Sequence, residues 1–119
     1  LEEPASADPR VLEAGFVEDL AAAYARADCA VVPLLEGGGS PLKFVEALAH
    51  GMPVLATPRA ARGLDATSGE HYVEAEGAPA FADALVDLLA NGAPELAARG
   101  RALAEARYSI AAVVAAVAP

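Results

Sequence analysis

Short all-apolar runs alternate with longer stretches of helical period along this 119-residue chain. Cys29-Ala30-Val31-Val32-Pro33 is nearly all apolar, the pattern of a strand buried on both faces. Pro53 to Thr57 predicts a second strand, with proline at its first position, where a missing N–H is tolerated. Between them Ser40 suits a helix N-cap and Pro41 the first helical position. Leu42, Val45 and Ala49 then fall at the spacing of a buried stripe, and Gly51 closes that helix. Earlier, Asp19 can cap a helix running to about Ala27, with Leu20, Tyr24 and Ala27 on one face. Val11 to Val17 is a short strand candidate broken by Gly15, and His71 to Ala75 is a weaker one. Pro79 to Leu89 predicts a helix carrying Phe81, Leu85 and Leu88 on one side, ended by Asn91-Gly92. Further helices are predicted from Pro94 to Arg107 and from about Ser109 to the end. Pro58 to Glu70, with Arg59, Arg62 and Gly63, reads as a loop.

Strands that alternate with helices predict an α/β fold, a Rossmann-like parallel sheet with flanking helices and right-handed crossovers. Ligands of such sheets sit beyond the carboxyl ends of the strands. Three loops qualify, at Gly15 to Glu18, Leu34 to Ser40 and Thr57 to Gly63, and one cleft lined by all three is expected. Residues 1–10, with two prolines and several charges, read as a tail or linker. Residues 11–107 form one domain and 108–119 a closing helix.

Composition narrows the function. The chain is 55% hydrophobic, which excludes disorder, yet only 5% aromatic, so the core must be built from Ala, Val and Leu. A net charge of −9 repels nucleic acid and anionic lipid. No apolar run reaches the roughly 20 residues of a membrane span. The single cysteine, Cys29, excludes an internal disulfide and agrees with a reducing compartment. Its surroundings suggest a small buried hydrophobe. The chain begins at Leu1 rather than methionine, and is expected to be a piece of a longer protein.

The candidate chemistry lies where Gly37-Gly38-Gly39-Ser40-Pro41 leads into a helix. Consecutive glycines let the backbone approach a ligand without Cβ clashes. The helix start then offers unpaired N–H groups and a positive dipole end, a ready site for phosphate. The spacing matches neither a Walker phosphate loop nor the dinucleotide fingerprint. A flexible turn is the plainer reading of the glycines alone. Lys43 is the only lysine in the chain. In a helix Lys43, Glu46 and His50 share one ridge. Glu46 could simply pair with Lys43 on a polar edge, or its two oxygens could accept from a pair of sugar hydroxyls. His50, one turn further on, reads as structural.

These residues resemble a known family. Pro33-Leu34, Gly38-Gly39-Ser40-Pro41-Leu42-Lys43, Glu46-Ala47-Leu48-Ala49, Gly51 and Pro53-Val54 through Ala56-Thr57-Pro58 are similar to the nucleotide-sugar-binding half of group 1 (family 4) glycosyltransferases of GT-B fold. Gly15-Phe16-Val17, Asp19-Leu20, Tyr24-Ala25, Ala27-Asp28, Gly63-Leu64 and Tyr108-Ser109 extend the likeness. The resemblance implies an incomplete GT-B C-terminal domain that binds the donor of a retaining glycosyltransferase. Its donor would be a UDP- or GDP-sugar, with no cofactor and no metal, and no Asp-x-Asp motif is present.

The likeness also assigns residues. Glu46 is expected to hold the donor ribose hydroxyls. Gly38, Gly39, Ser40, Pro41 and Leu42 would meet phosphates and sugar through the backbone, and Phe16 and Val17 would meet the base; Lys43, by its charge, is a further candidate to neutralise a phosphate oxygen. The family pattern places a second glutamate eight positions before the ribose carboxylate, and Gly38 stands there. Glu36, two positions away, is left as a possible donor-sugar contact. The basic pair for the diphosphate, the acceptor pocket and the catalytic groups belong to parts of the family not matched here. No catalytic residue is therefore assigned, and the fragment is expected to be inactive alone. It would act with the remaining half of the enzyme, without nucleic acid, in the cytoplasm, with peripheral membrane association of the intact protein left open. An open sheet edge, prone to self-association, is also expected. Two alternatives stand beside this reading: a non-catalytic binding or scaffold module of the same fold, and another GT-B enzyme such as a sugar-nucleotide epimerase.

Overall fold

The computed structural model describes residues 8–12, 15, 17–35 and 42–109. In chain order the elements are α1 (Leu20–Ala25), β1 (Ala30–Val32), α2 (Leu42–Ala49), β2 (Val54–Ala56), α3 (Pro58–Ala61), β3 (Val73–Glu74), α4 (Ala78–Asn91) and α5 (Pro94–Arg107). The three strands form one parallel sheet in the order β1-β2-β3. Val31 pairs with Leu55, and Leu55 with Val73. The fold is therefore the α/β parallel sheet with flanking helices that the alternation predicts.

Strand β2 is the centre of the sheet, and Val54, Leu55 and Ala56 are each 0% exposed. The pleat sends Val54 and Ala56 to one face and Leu55 to the other. On the first face Val54 and Ala56 join Phe44, Ala47 and Leu48 of α2 in the main core cluster. Tyr72 meets Phe44 edge to face, with ring centroids 5.1 Å apart, a favoured aromatic geometry. Helix α5 then packs on α2 with Leu96, Ala97, Gly100 and Ala104 buried. At Gly100 an added Cβ would lie 2.8 Å from Leu48 Cδ2 and 2.9 Å from the His71 carbonyl oxygen. Only glycine permits that approach. On the second face Leu55 is equally buried, and α4, which contacts β2, supplies cover there with Leu88.

Several expectations change. The buried stripe of α2 is Phe44, Ala47 and Leu48, whereas Leu42 is 63% exposed, Ala49 is exposed and Val45 half-buried. Nearly every residue of α2 is apolar, so the sequence period does not choose a face. The joint packing of sheet and α5 chooses it. The described residues between 11 and 17 form no strand. Val11 instead donates its N–H to the Asp8 carbonyl at 3.0 Å in a turn, and Gly15 has φ +65°. The 58–70 loop begins with helix α3, whose Ala60 and Ala61 are buried. Four residues are too few to register as a periodic pattern. The predicted tail and closing helix lie largely outside the described residues.

Candidate functional site

The carboxyl ends of the three strands are bound into one rim. Buried Thr57, just past β2, donates its hydroxyl to the Leu34 carbonyl at 2.5 Å and its N–H to the Val32 carbonyl at 3.3 Å. Ala75, just past β3, donates to the Ala56 carbonyl at 3.1 Å. Gly77, at φ +89°, then turns the chain into α4. A groove of about 380 Å³ opens beside this rim, lined by Pro33, Leu35, Thr57, Gly77, Phe81 and Leu85 among others. Its walls are almost wholly apolar. Residues that follow β1, β2 and β3 all line it, while Phe16 and most of the Leu34 to Ser40 connection lie outside the described residues.

Phe16, Glu36, Gly38, Gly39, Ser40 and Pro41 lie outside the described residues. Val17 is half-buried, two residues before the N-cap of α1. Leu42 and Lys43 are exposed on the first described turn of α2, and Glu46 is half-buried one turn further along. No ion pair joins Lys43 to Glu46 among the described residues. The Glu46 Oε1 instead accepts a hydrogen bond from the Tyr24 hydroxyl at 3.0 Å.

That bond belongs to a clamp between α1 and α2. Asp19 Oδ1 accepts from the Ala22 N–H at 3.0 Å, which starts α1 and carries Tyr24 into its last turn. The Tyr24 ring stacks on His50, with centroids 4.4 Å apart and planes 17° from parallel. His50 in turn sits with Nδ1 2.8 Å from the Glu46 carbonyl oxygen. Burial, and then the Glu46 hydrogen bond and charge, push the Tyr24 phenol up to about 12. Tyr24 therefore stays a neutral hydrogen-bond donor throughout the physiological range. Sequence reasoning placed Tyr24 on the family likeness and on a helix face, but did not connect it with Glu46. No pattern of spacing links two residues on different helices, so that signal was absent.

The loop after α3 is stapled from α5. The Tyr108 hydroxyl accepts from the Asp65 N–H at 3.1 Å, and Arg107 Nη1 meets Asp65 Oδ2 at 3.1 Å. Arg99 Nε donates to the Glu70 carbonyl at 2.8 Å. Cys29 is half-buried, its thiol pushed up by burial and by the charge of Asp28. A thiol held protonated is a poor nucleophile. No helix among the described residues is long and apolar enough to cross a membrane.

A parallel sheet with flanking helices and a glycine-rich connection from β1 to α2 defines a Rossmann-like α/β unit. A family model described as glycosyl transferases group 1 matches residues 1–91. The chain belongs to that family, and its role is in glycosyl transfer. No curated protein and no solved structure gives a significant match.

Proposed function

We propose that this chain is the donor-binding portion of a retaining glycosyltransferase that uses a UDP- or GDP-sugar. The observation that carries the reading is Glu46, a half-buried carboxylate one turn into α2 whose Oε1 is held by Tyr24 and which has no ion pair with Lys43. A carboxylate is an acceptor only, so its remaining capacity suits a ligand that offers hydroxyl donors, such as the 2′ and 3′ positions of a ribose. The family match spans the glycine run and all of α2, and so covers both the proposed ribose ligand and the proposed phosphate turn.

In this reading the diphosphate lies at the start of α2. The backbone N–H groups of Gly38, Gly39, Ser40 and Leu42 donate to it, and Lys43, exposed at that end, balances its charge. Phe16 and Val17 meet the base, and Glu36 remains a candidate contact to the sugar. The chain alone transfers no sugar and binds donor weakly at best, without a metal. Calorimetric titration with UDP and GDP tests the assignment. Glu46→Gln should weaken the better nucleotide about tenfold or more, the scale of a lost charged hydrogen bond. Lys43→Ala should weaken it also, and unchanged affinity in that variant removes Lys43 from the phosphate site.

A further inference from the structure

Glu46 sits on a helix face that leads from the exposed Lys43 end of α2 into the core. A free glutamate there has several rotamers, and holding one costs side-chain entropy each time a ligand binds. The structure removes that freedom in advance. The Tyr24 hydroxyl takes Oε1 at 3.0 Å, and the Tyr24 ring is stacked 4.4 Å from His50, which disfavours its swinging away. His50 is itself fixed by its Nδ1 contact to the Glu46 carbonyl oxygen at 2.8 Å. The three side chains close a loop: ring on ring, ring nitrogen to backbone, hydroxyl to carboxylate.

We propose that Tyr24 is a positioning residue for donor recognition, setting the Glu46 carboxylate in the one orientation in which it accepts from ribose hydroxyls. The proposal rests on the ribose reading of Glu46 given above. Tyr24 does not touch the nucleotide. It acts by occupying one carboxylate oxygen and thereby aiming the other, so that the entropy of ordering is met in the folded protein and not at binding. A neutral phenol suits this task better than a cation, because it fixes the carboxylate without cancelling the charge that makes it a strong acceptor.

The test compares UDP and GDP with their 2′,3′-dideoxy counterparts, which keep base and diphosphate but lack the hydroxyls. The readout is the affinity ratio of the ribo to the dideoxy form within each variant, so a smaller folded fraction does not alter it. In the unaltered 119-residue chain the ribo form should bind about tenfold or more tightly. In Tyr24→Phe, which keeps the stacked ring, the ratio should fall about threefold or more, with dideoxy affinity unchanged. In Glu46→Gln the ratio should collapse, and Tyr24→Phe added to it should change nothing further. A ratio that falls with Glu46→Gln but is untouched by Tyr24→Phe overturns the positioning role and leaves the ribose reading intact; Tyr24 is then an interhelical clamp. A ratio indifferent to Glu46→Gln, or no binding of either nucleotide, overturns the ribose reading and the proposal with it. Should Tyr24→Phe fail to fold, 3-fluorotyrosine at position 24 supplies a fluorine NMR signal in the native background. That signal should move with the ribo nucleotide and stay still with the dideoxy form, and equal movement with both would overturn the proposal.

Discussion

The two faces of the sheet are finished to different degrees. On the α2 side Val54 and Ala56 of the central strand are buried with Phe44, Ala47 and Leu48, and α5 packs on α2 behind them. On the α4 side Leu55 is buried, but its neighbour Val31 is 46% exposed, and Leu35, Val86 and Leu89 are 76%, 67% and 55% exposed. The apolar groove beside Phe81 and Leu85 opens on that same side. Apolar area removed from water contributes about 25 cal/mol per Å², so fully buried residues on the α2 side should contribute more than the half-open ones opposite. The α2 side also carries Glu46 and Tyr24. The proposed recognition apparatus thus rests on the more fully covered side of the sheet, where packing can hold a side chain to a fixed geometry.

This contrast can be broken by substitution. The largest effect is expected at Leu48, 1% exposed between sheet and α5. Leu48→Ala should cost about 2–5 kcal/mol by urea denaturation, whereas Leu89→Ala on the open side should stay within about 0.5 kcal/mol. Equal losses at the two sites would erase the distinction between the faces. Gly100→Ala comes next, at about 1–3 kcal/mol, because the new methyl meets both Leu48 and the rigid His71 carbonyl. A smaller and sharper comparison uses one residue type in two places. Val54→Ala, at 0% exposure, should lower stability by about 2 kcal/mol, and Val31→Ala, its half-open counterpart, by well under half of that.

The smallest effect is an alkaline one. The Tyr24 phenol is raised from 10.0 to about 12 in the folded chain, so folding favours its neutral form. That contribution is intact below pH 10 and is lost as pH climbs through about 12. Chemical denaturation across that window should show stability falling, with a shallower fall in Tyr24→Phe. Tyr72, buried and bonded to Glu74, is shifted in the same direction and accounts for part of the slope that remains.

Much of this architecture is legible in the residue pattern. The apolar runs at Cys29 to Pro33 and Pro53 to Thr57 become β1 and β2, and Pro94 to Arg107 becomes α5 with the same bounds. Runs buried on both faces are unmistakable because nothing polar interrupts them. What stays illegible has a common cause. The true face of α2 depends on α5, and α5 is chosen by Gly100, a residue whose value lies in what it lacks. The Tyr24–Glu46 bond likewise joins positions that no local period connects. Within the candidate site, the glycine, serine and proline expected to open α2 lie outside the described residues, and the residue that holds Glu46 emerges only in three dimensions.

The most direct measurement of the central claim is an amide-resolved NMR titration of the chain with UDP and GDP. The account predicts that one of them shifts the signals of Phe16, Gly38, Gly39, Ser40, Leu42, Lys43 and Glu46, with Tyr24 following through its hydroxyl. Shifts confined to the groove at Phe81 and Leu85, or no shift with either nucleotide, would contradict it.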